Sequence, residues 1–209
     1  VDQLSGAATA ARSPWLVVGL GNPGPEYELT PHNLGFLALD RLAERHGIRV
    51  SRPEAMALVG VGSIAGSPVV LAKPQTFMNA SGPSVRQLLD RYQLGPGNLL
   101  LVYDELALPW RQIRIRPKGS SGGHNGVESV IRAIGSQEFA RLRLGIHPGH
   151  PVRNGAEFVL APFRRGQYKE LDELLEQAAW AVESIIAEGV DKAMTKFNRR
   201  AQGSIQEEK

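Results

Sequence analysis

The chain has 209 residues, 42% of them hydrophobic, which is enough for a packed core and too many for wholesale disorder. It has no Cys, which excludes disulfides, thiolate metal sites and Cys nucleophiles, and no apolar run approaches the length that spans a bilayer. The net charge of +3 hides an uneven distribution: eight basic residues against two acids from Arg111 to Arg153, three against seven from Asn154 to Gly189, and four against one from Val190 to Arg200, so the basic middle points to a polyanionic partner.

Residues 1–14 are small and polar, lack the apolar core of a secretory signal, and read as a disordered tail. Trp15 to Leu20 is an apolar run that reads as a short buried strand. It stops at Gly21-Asn22-Pro23-Gly24-Pro25, which must turn. Thr30-Pro31-His32 reads as a helix start, with Thr30 as N-cap and Pro31 at the first helical position. Leu34, Leu37, Ala38 and Leu42 share one face of that helix, and Gly47 ends it.

Ala57–Ile64 and Val69–Ala72 read as a hairpin closed by a three- to four-residue loop. The KPQTFMNASG stretch is a loop running into a helix near Ser81. Asn98–Tyr103 is a continuous apolar run, as in a central strand buried on both faces, and is expected to end at Asp104-Glu105. Arg111–Arg116 alternates apolar and basic residues, so it reads as a strand with a row of arginines on one side. A glycine-rich loop, Lys118–Gly126, leads into a helix through Ile134. Phe139–Ile146 is another strand, with Arg141 and Arg143 on one face. Gln167–Glu188 is a long amphipathic helix, Asp191–Asn198 a short basic one, and the tail from Gln202 looks frayed. Alternating strands and helices predict a single α/β domain over residues 15–200, with a twisted mixed β-sheet flanked by helices.

Gly19-Leu20-Gly21-Asn22-Pro23-Gly24 fits the G-x-G-x-x-G dinucleotide fingerprint. That fingerprint needs the helix to open within the glycines, whereas here two prolines delay it to about Pro31, and no acid closes a second strand at the required distance. The five His show no metal-ligand spacing beyond an isolated HPGH stretch, and no G-x-S-x-G elbow presents a Ser. What remains is a set of polar residues at element ends: Asn22, His32, Met78-Asn79, Asp104 and His124-Asn125. His32 and Asp104 are the residue types of a general base and the carboxylate that orients it. The asparagines suit gripping peptide groups or a developing oxyanion. Four of them also have a plain structural role available: a cap for His32 or Asn125, a turn for Asp104, core filling for Met78.

Four stretches, VGLGNPGPEY…HNLG, KPQTFMNASG, VYDELALPWRQIRIRPKGSSGGHNG and EFARLRLGIHPG, together resemble the bacterial-type peptidyl-tRNA hydrolases from about Trp15 to Gly149. The resemblance implies a cofactor-free, metal-free enzyme that cleaves the ester joining a peptide to the 3′ end of tRNA. It implies a cytoplasmic monomer that recycles tRNA, whose partner is the acceptor stem and 3′ end of peptidyl-tRNA rather than a membrane. On the matching positions, His32 is the base, Asp104 its carboxylate and Asn22 a polar partner near the scissile ester. Phe77, Met78 and Asn79 belong to the peptide and 3′-end channel, His124 and Asn125 border it, and Tyr27 stands beside the site. Lys118 and Arg143 are implied to contact tRNA; on charge alone, the arginine face and the basic C-terminal helix with Lys192, Lys196, Arg199 and Arg200 could also grip acceptor-stem phosphates. The chain departs from the family at Pro31, where Arg is usual, and in GIHPG, where an extra glycine is common. The alternative is an RNA-binding protein on the same fold that has lost catalysis.

Overall fold

The computed structural model describes residues 12–198. In chain order it contains β1 (Trp15–Gly19), α1 (Leu34–Arg45), β2 (Arg52–Glu54), β3 (Ala57–Ile64), β4 (Ser67–Pro74), α2 (Ser81–Arg91), β5 (Leu99–Pro109), β6 (Ile113–Arg116), α3 (Asn125–Ile134), β7 (Ala140–His147), α4 (Gly155–Leu160), α5 (Tyr168–Glu188) and α6 (Val190–Phe197). The expected tails lie outside the described residues, except for 12–14, which carry no regular element. Among the described residues no helix is long and apolar enough to cross a membrane.

Seven strands form one mixed sheet in the order β2-β3-β4-β1-β5-β7-β6. β4, β1, β5 and β7 run parallel, while β2, β3 and β6 pair antiparallel at the two sides. β1 and the first part of β5, residues 99–103, are apolar at every position because both faces are covered. Leu16, Val18, Leu99 and Leu101 pack with α2 and α3; Val17, Leu100 and Val102 pack with α1, α5 and α6. The result is the single α/β domain the sequence predicts. After β1 the chain crosses to the edge at β2 and works inward through β3 to β4 beside β1, then crosses back to lay β5 on the other side of β1. The carboxyl ends of β1 and β5 therefore flank a crevice at a topological switch point, where open α/β sheets bind ligands.

α1 approaches this crevice closely. A Cβ on Gly35 would collide with the Val102 carbonyl oxygen and the Leu20 backbone nitrogen. Glycine thus lets the start of the helix, with His32, lie directly over the ends of β1 and β5. The acids of α5 meet the basic residues of α1: Arg41 pairs with Asp172 and Glu176, and Arg45 with Glu176 and Glu183. Exposed pairs contribute about 0–1 kcal/mol each, against about 1.5–3 kcal/mol for a fully buried Leu. Apolar packing therefore holds the two helices together, and the ion pairs explain why the acidic stretch is acidic.

Four expectations need correction. The β3–β4 loop has two residues, Ala65 and Gly66, at φ 49° and 77°, because Ile64 and Ser67 already pair; this is the positive-φ turn that suits strand twist. β5 does not end at Asp104-Glu105 but continues to Pro109, held by β7 through a register slip between Glu105 and Pro109. Arg111 lies in the turn before β6, at φ 72°, so the strand begins only at Ile113. Asn125 is the first residue of α3, not its cap; His124 is the cap. β2 and α4 were not anticipated.

Candidate active site

β1 ends at Gly19, and Asn22 follows in the turn. A short 3₁₀ segment, Pro31–Asn33, carries His32 ahead of α1. Thr30 holds the N-cap position as expected, but its hydroxyl donates to the Tyr27 carbonyl at 2.8 Å instead of capping the turn. The G-x-G-x-x-G stretch leads into a three-residue 3₁₀ turn, Pro25–Tyr27, with α1 starting at Leu34, so no helix N-terminus opens within the glycines.

Asp104 lies on β5 and is almost wholly buried, between two histidines. His32 Nδ1 is 2.9 and 3.0 Å from its two carboxylate oxygens, and His124 Nε2 is 2.8 Å from Oδ1. The second nitrogen of His124, Nδ1, accepts the backbone N–H groups of Gly126 (3.2 Å) and Val127 (3.3 Å) at the start of α3. That nitrogen must be unprotonated, so the His124 proton sits on Nε2 and is donated to Asp104. His32 donates Nδ1–H to the same carboxylate, which leaves its Nε2 lone pair to accept a proton. Burial alone would push the Asp104 carboxyl up. The adjacent His124, and then the hydrogen bond from His32, outweigh this and hold it well below the usual carboxylate range. The two imidazoles lie 5.0 Å apart, and Tyr103 packs its edge against His124 at 4.9 Å.

These three residues could offer ligand atoms to a metal, since the atoms all lie within 4.8 Å of one another. An ion there would have to replace both protons directed at Asp104. His124 cannot pass its proton to Nδ1, which is occupied as an acceptor. The donor set fits a hydrogen-bonded relay better than a chelate.

Asn22 is held on three sides. Its backbone N–H donates to Asn33 Oδ1 at 2.8 Å, Asn33 Nδ2 donates to its carbonyl at 2.9 Å, and its own Oδ1 accepts the Met78 N–H at 2.7 Å. The last bond fixes the amide orientation, so Nδ2, with its two hydrogens, is the group left to donate. Gly126 brings α3 against this corner: a Cβ there would collide with the Met78 sulfur.

All nine residues expected at the centre, Asn22, Tyr27, His32, Phe77, Met78, Asn79, Asp104, His124 and Asn125, line one cleft of about 550 Å³. Leu106 and, from α4, Val159 and Leu160 add apolar surface to it. Sequence reading missed Asn33 and α4. The signal for α4 was present: Asn154 caps it by accepting the Glu157 N–H, with the acid three residues on and an apolar run following.

Lys118 and Arg143 are not in this cleft. They line an adjoining basic cavity of about 220 Å³ with Arg116 and Arg141. The expected arginine face is altered there. Arg141 is 2% exposed, stacks on Phe139 and donates to the Ser120 and Gln137 carbonyls, holding the glycine-rich loop. Arg143 is paired with Glu105. On the C-terminal helix, Lys196 is paired with Glu188, while Arg199 and Arg200 lie outside the described residues. Nitrogen-detected NMR should find the neutral forms of the two histidines in opposite tautomers, His32 protonated at Nδ1 and His124 at Nε2; the same tautomer at both would contradict this network.

The family model described as peptidyl-tRNA hydrolase matches residues 16–205. A peptidyl-tRNA hydrolase of Solibacter usitatus is 60% identical over 194 residues, covering 93% of this chain and 99% of its own length. One from Koribacter versatilis is 50% identical, covering 88% and 92%. The crystal structure of peptidyl-tRNA hydrolase from Acinetobacter baumannii superposes with a TM-score of 0.81 at 36% identity, covering 88% of this chain and 94% of that one.

Proposed function

The chain belongs to the peptidyl-tRNA hydrolase family and hydrolyses the ester between peptide and tRNA, and from that premise we propose that His32, oriented by Asp104, is the general base of the reaction. Its Nε2 takes a proton from a water molecule in the cleft as that water adds to the ester carbonyl carbon. The bond from that carbon to the ribose 3′-oxygen then breaks, and the imidazolium returns its proton to the leaving oxygen. The products are a free peptide carboxyl group and tRNA with its 3′-hydroxyl restored. Asp104 stays ionised and keeps the imidazole in the tautomer that presents Nε2.

Asn22 Nδ2 donates to the oxygen on which charge develops, an assignment supported by the Met78 N–H, which fixes the amide the other way round. Asn79 and Asn125 hold peptide groups, and His124, Tyr27, Phe77 and Met78 complete the walls. The ester is intrinsically labile. A general base supplying about 10²–10⁴-fold, with orientation and one oxyanion donor, accounts for the catalysis. The observation that carries this reading is the pair of hydrogen bonds from His32 Nδ1 to a buried carboxylate beside the cleft.

The acceptor stem rests its phosphates over the basic cavity. Support comes from its charge: Arg116, Lys118, Arg141 and Arg143 line it. Contact of this kind reads the shape and charge of A-form RNA, which suits an enzyme acting on many tRNAs. Peptidyl-tRNA arises from translation, which assigns the work of this chain to the cytoplasm.

His32→Ala should lower release of free tRNA from labelled peptidyl-tRNA by about 10²-fold or more while leaving tRNA binding within about threefold. Retained cleavage would favour the non-catalytic role for the site. Lys118, largely exposed beside Glu138, should show its part in the salt dependence: Lys118→Ala is expected to reduce the slope of log affinity against log salt by about 0.7–0.9 for every tRNA tested. An unaltered slope would remove it from the interface.

A further inference from the structure

The cleft and the basic cavity share two residues, Gly122 and Glu105, and of these only Glu105 has a side chain. Resting on the peptidyl-tRNA reading above, we infer that Glu105 is a positioning residue that couples RNA held at the basic cavity to the geometry of the cleft.

Glu105 follows Asp104 on β5 and is buried. Its Oε2 accepts from Nε of Arg143 at 2.8 Å and from Nη2 at 2.6 Å. Two bonds to one oxygen fix the guanidinium plane and leave Nη1 and the other Nη2 hydrogen for a phosphate. Its Oε1 accepts the Ala107 N–H at 3.0 Å. That bond ties down the segment where β5 slips register against β7, and Leu106 of that segment walls the cleft. One carboxylate thus joins the arginine of the RNA side to the backbone that carries Asp104 and Leu106.

Two consequences of Glu105 oppose each other. As a negative charge among four cations, it lowers the attraction of the cavity for any anion. As an anchor, it holds a long side chain in the geometry that receives phosphate. A phosphate on the free edge of Arg143 would lie within a Debye length of Glu105, so salt does not remove this repulsion. We take anchoring as the larger effect, since the carboxylate is already committed to Arg143 and the Ala107 N–H; losing it then weakens the contribution of the RNA.

The experiment compares kcat/KM for an intact peptidyl-tRNA with kcat/KM for a 3′-terminal fragment carrying the same peptide ester and no acceptor duplex. The ratio of the two reads what the RNA body contributes. Glu105→Gln should lower this ratio about fivefold or more, Arg143→Ala should do the same, and the double variant should fall no more than about twofold below Arg143→Ala alone. Glu105→Asp, which keeps the charge and shortens the reach, should also lower it. If Glu105→Gln leaves a lone arginine and fails to fold, Glu105→Asp and the double variant still decide the matter. A ratio equal to or above wild type in Glu105→Gln, or multiplicative losses in the double variant, would overturn the coupling. The same cycle read by equilibrium binding of deacylated tRNA needs no turnover. It separates failure of the coupling from failure of the hydrolase reading, in which wild type would cleave neither ester.

Discussion

A single buried carboxylate takes hydrogen bonds from two imidazoles, and the rest of the site is arranged around that sharing. The two histidines do different work on the same anion. His124 is anchored at its other end by α3, so it can only donate to Asp104; it satisfies one oxygen and helps keep the group ionised. Among the described residues His32 has no such anchor at its other nitrogen. Its bond to Asp104 sets its tautomer and leaves Nε2 as the basic atom. A buried charge without such partners would be costly, and here each of its donors also belongs to the cleft wall.

Topology makes the sharing possible. His32 and Asp104 are 72 residues apart, yet one follows β1 and the other lies on β5, and these strands are neighbours in the sheet. The reversal of strand order between them opens the crevice. Glycine at position 35 lets α1 close on the strand ends, and glycine at position 126 lets α3 close on Met78. Three elements thus meet at one corner with Asn22 pinned among them by Asn33 and Met78. The basic cavity stands one residue along β5 from this carboxylate, Asp104, so the cleft and the cavity border the same strand.

Much of this was legible in the residues. The apolar runs at 15–20 and 98–103 gave the central strands because burial on both faces leaves no alternation to misread. The polar residues at element ends marked the cleft because those ends converge on it, although several of them also had a plain structural role available. Other features depended on contacts that sequence spacing does not carry. The length of β5 was underestimated because acids usually end a strand, and here Asp104 and Glu105 are accommodated by His32, His124 and Arg143, all remote in sequence. The arginines at 141 and 143 share a face by period, but whether each meets solvent depends on Phe139, the glycine-rich loop and Glu105. Asn33 sat in plain view beside His32; its role needed the turn at Asn22 to be folded back onto it. Helix α4 was overlooked despite its cap because six residues give too short an apolar pattern to stand out.

The claim on which the account depends is that Asp104 makes His32 a base by holding its Nδ1–H. Single-turnover cleavage of peptidyl-tRNA by Asp104→Asn, in which the amide keeps the volume and loses the charge, tests it most directly. The account predicts a fall of about 10²-fold or more in the cleavage step with tRNA affinity little changed. Cleavage within about threefold of wild type across neutral pH would contradict it.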